Sequence, residues 1–191
     1  MSPDFTVLLV RHAEPVLPGT PGYEENSRPL TQRGRRDAEA LAEAYADLKL
    51  EAVYASPYPR AVQTVEPSAQ RRGLAVGVLE DLRERLLSPH SLPDWRDHLE
   101  RAWLDFDFAP PGGETGRVAQ ARAVAALEVI RARHRDGGTV MVGGHGNLIG
   151  LTLHAFEPGV DFAFWAAIPM PAVYTLEFGE GRWRVASGPG L

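Results

Sequence analysis

Short apolar runs alternate along the chain with longer segments that mix apolar and charged residues. The short runs are rich in Val, Leu, Ala and Tyr, which is typical of buried strands. Their alternation with helix-length segments favours an α/β fold, in which a mostly parallel central sheet of five or six strands carries helices on both faces. The predicted strands cover residues 6–10, 52–55, 74–79, 139–142, 173–178 and 183–186.

Apolar residues recur at helical spacing in two long segments, 31–48 and 114–135, and predict amphipathic helices there. Thr31 and Thr115 stand at the starts of these segments, where a threonine hydroxyl accepts a hydrogen bond from a free backbone N–H. A weaker pattern predicts a third helix over residues 91–103. Two stretches without periodicity contain several Pro and Gly residues and are predicted to be irregular: 15–29 and 86–113.

The composition is that of an ordinary globular protein, because 44% of the 191 residues are hydrophobic and 24% are charged. This length predicts one domain over residues 1–191. A formal net charge of −5, with both signs interspersed, argues against a surface for nucleic acid or for an anionic membrane. No run approaches the roughly 20 apolar residues of a membrane span. The start of the chain does not resemble a secretion signal, so we expect a cytoplasmic protein.

Residues that can do chemistry follow four of the predicted strands. Ligands of open α/β sheets bind at the carboxyl ends of strands, so we expect these residues to share one site. His145 is the most specific of them, because the glycines on either side let a ligand approach the ring closely. In chain order, the candidates are Arg11 with His12, then Arg60, Glu84, and His145 with Gly146.

Each of these residues also has an ordinary interpretation when it is taken alone. An Arg-His pair after a strand is commonly part of an exposed loop, and Arg60 fits a solvated surface position. Glu84 lies in the charged run 80–85, which is typical of a solvent-facing turn. Only the combination of residues favours chemistry over these alternatives.

Six short segments occur together in a specific order, and this set resembles the histidine phosphatase superfamily. The resemblance spans about residues 6–150 and implies the phosphoglycerate mutase-like fold. The segments are Arg11-His12-Ala13-Glu14, Arg28-Pro29-Leu30-Thr31, Ser56-Pro57-Tyr58-Pro59-Arg60, Leu82-Arg83-Glu84, Gly112-Gly113-Glu114-Thr115 and Gly143-Gly144-His145-Gly146.

The resemblance implies a role for each candidate. His12 is the expected nucleophile, which becomes phosphohistidine, and Glu84 is the expected acid, which protonates the leaving oxygen. The expected phosphate-binding groups are Arg11, Arg60, a protonated His145 and Gly146. Positive charge around the phosphoryl oxygens is what this reaction chiefly needs, and these groups supply it without a metal ion or an organic cofactor. His12 must attack as a neutral ring, so we expect a partner such as a backbone carbonyl on its other nitrogen.

Within the superfamily, the sequence favours a phosphatase over a mutase. Mutases usually have Arg-His-Gly-Glu followed by Thr or Ser, whereas Ala13 and Pro15 stand at two of those positions here. The chain also lacks the long insert with paired arginines that resembles a phosphoglycerate clamp. The expected partner is a small-molecule phosphate ester. The sequence leaves open its identity, the mutase alternative and the oligomeric state, including a homodimer.

Two other classes of function are weaker. Gly144, Gly146 and Gly150 faintly resemble a dinucleotide-binding loop, but too few residues follow for such a domain. A non-catalytic phosphate-binding protein would use the same cations without needing an acid such as Glu84.

The pocket for the leaving group is expected from residues 16–26 and 86–111. Aromatic residues in these segments either form an apolar wall there or belong to the core, which is their commoner position. They are Tyr23, Trp95, Trp103, Phe106 and Phe108.

Overall fold

In the computed structural model, which describes residues 3–191, strands and helices alternate through most of the chain. Six strands form one sheet: β1 (Phe5–Arg11), β2 (Ala52–Ala55), β3 (Val76–Val78), β4 (Gly138–Gly144), β5 (Ala172–Gly179) and β6 (Arg182–Ser187). The α-helices within residues 3–191 are α1 (Gln32–Ala44), α2 (Pro59–Gln70), α3 (Trp95–Leu104), α4 (Gly116–Arg133), α5 (Gly146–Phe156) and α6 (Phe162–Ala167). A single 3-10 turn covers Glu80–Leu82 in the same part of the chain.

The strand order is β3-β2-β4-β1-β5-β6. The first four strands are parallel, whereas β5 pairs antiparallel with β1 and β6 pairs antiparallel with β5. The prediction of a mostly parallel α/β sheet is therefore confirmed. Because β1 and β4 are neighbours in the centre, their carboxyl ends meet at one edge, where Arg11 pairs with Gly144.

Side chains of the central strands alternate between two cores, as the pleat requires. On one face, Phe5, Val7 and Leu9 join a cluster with buried residues of α4 and α5. On the other face, Leu8 and Val10 join a cluster with residues of α1 and α2. Helices thus cover both faces of the sheet, and both sides of β1 are buried.

The helix α5 is buried along most of its length, because every residue from 146 to 153 lies in the interior. It follows β4 directly and begins at the sheet edge where β1 also ends. No helix within residues 3–191 is both long enough and apolar enough to cross a membrane.

Both predicted N-caps are confirmed: Thr31 Oγ1 accepts from Gly34 N at 3.0 Å, and Thr115 Oγ1 accepts from Val118 N at 3.2 Å. The predicted element lengths were less accurate. The third strand has only three residues instead of six, and α1 ends at Ala44, before the predicted end at 48.

The apolar segment after Gly146, which is helix-like in the sequence, forms α5, whereas α2 and α6 were not predicted. Of these two, α2 contains Pro59 and Pro67, and proline is unfavourable inside a helix. Pro59 is compatible because a proline at the first helical position loses no intrahelical hydrogen bond.

Candidate active site

The ends of β1 and β4 bring the two candidate histidines together. His12 N donates to Gly144 O at 3.0 Å, which extends the strand pairing by one residue. The rings of His12 and His145 meet edge to face, with their centroids 5.3 Å apart. The next strand ends at the same edge, since Ser56 N donates to Gly143 O at 2.9 Å.

The His12 ring is fixed by the backbone of its own turn. It is 7% exposed, and its Nδ1 lies 2.8 Å from Ala13 O. A carbonyl accepts only, so Nδ1 carries the hydrogen and Nε2 keeps the free lone pair. The expected backbone partner is therefore Ala13. The turn is held in place by Thr64, whose Oγ1 accepts from Ala13 N at 3.0 Å and donates to Arg60 O at 2.7 Å.

Electrostatics keeps the His12 ring neutral. Burial lowers its pKa to about 3, the hydrogen bond to Ala13 O opposes this shift, and the positive charges of Arg60 and Arg11 add to it. A neutral imidazole at physiological pH is the form that can act as a nucleophile. Thr64 follows the Ser56–Arg60 segment along α2, but the sequence did not indicate its contact with the His12 turn.

His145 is fully buried, and its Nε2 lies 2.7 Å from Ser56 Oγ. The same Oγ accepts from Tyr58 N at 3.2 Å, and among residues 3–191 the Ser56 hydroxyl finds no other acceptor than His145. A buried hydroxyl rarely leaves its hydrogen unpaired, so Ser56 donates to Nε2. The hydrogen of His145 then sits on Nδ1, which is buried and has no partner.

The surroundings of His145 oppose its protonation. Burial lowers the pKa of His145 well below its ordinary value, and the charge of Arg60 lowers it further. His145 is therefore a neutral N–H donor beside His12 rather than a cation.

Arg11 reaches the site across the start of α5. Its Nη1 donates to Ile168 O, and its Nε is buried without a partner. Gly146 lies against it, because a Cβ at that position would come within 2.9 Å of Arg11 Nε. The glycine predicted to bind phosphate thus leaves room for the guanidinium.

Arg60 is 1% exposed, and an acidic residue from the 15–29 loop covers it. Its Nη1 donates to Glu25 O at 2.6 Å and its Nη2 to Glu25 Oε1 at 3.0 Å, while Nε is buried without a partner. The same carboxylate accepts from Arg28 Nη2 at 2.5 Å and Nε at 2.9 Å. The sequence did not indicate that Glu25 contacts these cations.

The cluster of Arg11, Arg28 and Arg60 contains more positive charge than the Glu25 carboxylate neutralises. Burial lowers the pKa of both Arg11 and Arg60, as desolvation of a cation requires. The side chain of Glu25 is 61% exposed, so its pairing with Arg60 is partly screened by water. A small dianion would balance the positive charge of this cluster.

Glu84 lies at the start of α5 rather than on a solvent-facing turn. Its Oε1 accepts from Leu148 N at 3.0 Å and from Arg85 N at 2.9 Å, and its Oε2 accepts from Asn147 N at 3.1 Å. These backbone N–H groups hold the carboxyl group of Glu84 at the start of α5. The structure therefore brings Glu84 to the same sheet edge as Arg11, His12, Arg60 and His145.

The two other carboxylates in the motifs are engaged elsewhere. Glu14 accepts from Thr31 Oγ1 at 2.6 Å, and Glu114 forms a paired contact with Arg122 at 2.6 and 2.8 Å. Within residues 3–191, no group of three or more His, Asp or Glu side chains is arranged to hold a metal ion.

A cavity of about 330 Å³ adjoins the site and shares Tyr58 and Glu84 with it. Both predicted loop segments contribute, through Glu25 and through residues 86–88 with Trp95. Of the five aromatic residues proposed for its wall, Trp95 lines it, whereas Trp103 lies in the core. Tyr23, Phe106 and Phe108 do not line this cavity, and Trp165 of α6 does, which the sequence did not indicate.

We expect the depressed pKa of His12 to make the protein less stable in acid. The unfolded state binds a proton near pH 6.5 and the folded state only near pH 3, so stability is lost as pH falls through this window. Between pH 7 and pH 5 this histidine alone should cost about 2 kcal/mol. Urea unfolding of wild type and of His12→Asn, whose amide can still donate to Ala13 O, measures the difference. An identical loss in both proteins contradicts the assignment.

The Ser56 contact predicts the tautomer of His145. Long-range ¹H–¹⁵N spectra of ring-labelled protein should show hydrogen on Nδ1 in wild type. Ser56→Ala should populate the Nε2–H form, because the donor to Nε2 is gone, and Ser56→Thr should retain the wild-type form. Hydrogen on Nε2 in the wild-type protein would overturn the assignment.

Known proteins resemble this chain in sequence and in fold. The family model described as "Histidine phosphatase superfamily (branch 1)" matches residues 7–188. An uncharacterised protein of Mycobacterium tuberculosis, Rv0525, is 35% identical over 148 residues, which are 70% of this chain and 69% of that protein.

Solved structures show the same fold. The structure of YhfR from Bacillus stearothermophilus is 28% identical, with a TM-score of 0.75 over 95% of both chains. A phosphoglycerate mutase from Bacillus anthracis is 20% identical, with a TM-score of 0.76 over 96% of this chain and 92% of that one, and shows the fold alone. Together with the matched family model, these findings establish that the chain belongs to the histidine phosphatase superfamily, branch 1.

Proposed function

We propose that this protein is a phosphatase that hydrolyses a small-molecule phosphate monoester through a phosphohistidine at His12, with residues 1–191 acting as one catalytic domain. The observation that carries the proposal is the state of His12. Its Nδ1–H is bound to Ala13 O at 2.8 Å, so the neutral ring presents Nε2 within a cluster of buried cations.

In the first step, His12 Nε2 attacks phosphorus and the bond to the ester oxygen breaks. Glu84, in its acid form, gives its proton to that oxygen, and the alcohol leaves. In the second step, water attacks phosphorus, Glu84 takes up a proton from the water, and the P–N bond breaks to release inorganic phosphate. The cations stabilise the charge on the phosphoryl oxygens in both steps.

Substrate binding requires a change at Arg60. Its Nη2 contacts the Glu25 carboxylate and its Nη1 contacts the Glu25 backbone carbonyl, and a phosphate replaces the carboxylate by offering a doubly charged partner with more acceptors. The Glu25 side chain is exposed, so the screened pair with Arg60 contributes little stability and is open to exchange. Arg11, Arg60, His145 and the helix start at Gly146 then surround the phosphoryl group.

A phosphatase suits the cavity better than a mutase does. A mutase must hold a phosphorylated acid while the phosphoryl group is returned, which needs cations around the leaving group. The cavity beside Glu84 is lined by Leu86, Leu87 and two tryptophans, with Arg85 as its one arginine. Such a lining favours release of the alcohol over retention of an acid.

The covalent step predicts a labelled histidine. Protein quenched during turnover of a phosphate ester should hold phosphate that resists base and is lost in acid, because a phosphoramidate is acid-labile. The label should map to His12 by mass spectrometry, be absent in His12→Asn, and form equally in excess chelator, since the cations replace a metal ion. Acid-stable label on Ser, Thr or Asp, or activity that returns only with added metal, contradicts the mechanism.

The acid role of Glu84 predicts a dependence on the leaving group. Glu84→Gln should slow hydrolysis of an alkyl phosphate by about 10² to 10⁴, because an alkoxide needs a proton to leave. It should slow an activated aryl phosphate far less, because a phenolate leaves without one.

The ratio of the alkyl and aryl rates distinguishes a loss of acid catalysis from a structural defect. The glutamine amide would face an N–H of Asn147 or Leu148, so the variant will be less stable, but loss of fold lowers both rates alike. Glu80→Gln, at an exposed carboxylate in the preceding turn, is the matched control and should leave both rates unchanged. Equal loss on both esters in Glu84→Gln assigns the residue a structural role.

A further inference from the structure

The cavity beside the site has a chemical character of its own. One end is shared with the site through Tyr58 and Glu84, and the rest extends over the start of α3 and towards α6. Its volume of about 330 Å³ exceeds the roughly 150 Å³ that accommodates benzene in a protein interior. The room beyond the phosphoryl group therefore suits a ring-sized portion of a substrate.

Apolar side chains form most of its wall. Trp95 is 54% exposed and Leu86 is 47% exposed, although large apolar residues are normally covered. These two lie on the same cavity rather than singly on the surface, which marks a place where a ligand covers them. The apolar lining residues are Leu86, Leu87, Trp95, Leu99 and Trp165.

The charges on the cavity exclude a second anion on the leaving group. Glu25 and Glu84 are both on its lining, and Arg85 is the cation that faces them. An alcohol that carried its own carboxylate or phosphate would find Arg85 as the one cation on this wall, and Arg85 Nε and Nη2 already donate to the backbone carbonyls of Glu114 and Phe108. The occupant is therefore uncharged apart from the phosphoryl group.

We propose that the cavity binds the alcohol portion of the substrate, and that this alcohol is a neutral one bearing a flat apolar ring. The proposal rests on the proposed function. A flat ring stacks on the indole of Trp95 and covers Leu86. Trp95 is then a residue that determines specificity, and phosphorylated sugars and glycerates are poor substrates.

Two esters of similar leaving-group basicity test this assignment, so that chemistry does not enter the comparison. Benzyl phosphate should have a kcat/KM at least about tenfold above that of ethyl phosphate, because the ring buries apolar surface against the wall. In Trp95→Ala this ratio should fall towards one, and in Trp95→Phe it should largely recover. Leu104→Ala, at an 83% exposed position at the end of the same helix, should keep the wild-type ratio.

Binding provides a readout that does not depend on turnover. Benzylphosphonate should change the tryptophan fluorescence of the wild-type protein at concentrations about tenfold lower than ethylphosphonate does, and this difference should be lost in Trp95→Ala. Release of phosphate with equal efficiency from both esters, or a preference for glucose 6-phosphate or 3-phosphoglycerate, overturns this inference alone. Failure to release phosphate from any ester or to label His12 overturns the proposed function, and selective binding of benzylphosphonate would then still support the ring-binding cavity.

Discussion

The parallel register between β1 and β4 is the constraint on which the site depends. Arg11 pairs with Gly144 and the next residue donates to the same glycine, so both histidines leave the sheet at one level. The cores fix this register, because a slip by one residue would send Leu8 and Val10 to the opposite face. The packing of apolar side chains therefore determines the position of His12 relative to His145.

Unbalanced charge is the second constraint. Burial lowers the pKa of Arg11, Arg60 and Arg85, which means that the fold holds these cations where water solvates them poorly. Much of the desolvation is already complete before a ligand arrives, so an anion meets preoriented donors. Burial, together with the positive charge of Arg60, keeps both histidines neutral, so that His12 has a free lone pair and His145 an N–H donor.

The sequence predicted the parts of the structure that depend on local pattern. The strands β1 and β4, the caps Thr31 and Thr115 and the convergence of the motif residues follow from periodicity, hydroxyl placement and strand-end chemistry. It did not predict what tertiary contacts decide. The helix α2, which contains two prolines, was not predicted. The burial of His145, which lowers its pKa, could not be inferred from the glycines on either side.

Contacts between distant segments were the other omissions. Glu25 meets Arg60 across 35 positions, and Glu84 meets Leu148 across 64, so neither partner could be inferred from spacing. The place of Trp165 in the cavity wall has the same origin, since α6 and the segment after β3 are distant in sequence and line the same cavity. Residue type indicated the chemistry, and only the folded chain gave the pairings.

The complete burial of the first two turns of α5 has a consequence for how this protein can change. The residues that we propose to bind and transfer the phosphoryl group are attached to packed elements, whereas Leu86 and Trp95 are half exposed to water. Substitutions at these two positions should therefore change the cavity wall without disturbing the packed site. Relatives that share the site should differ in the alcohol they accept, and libraries built on Leu86 and Trp95 should change that specificity with little loss of stability.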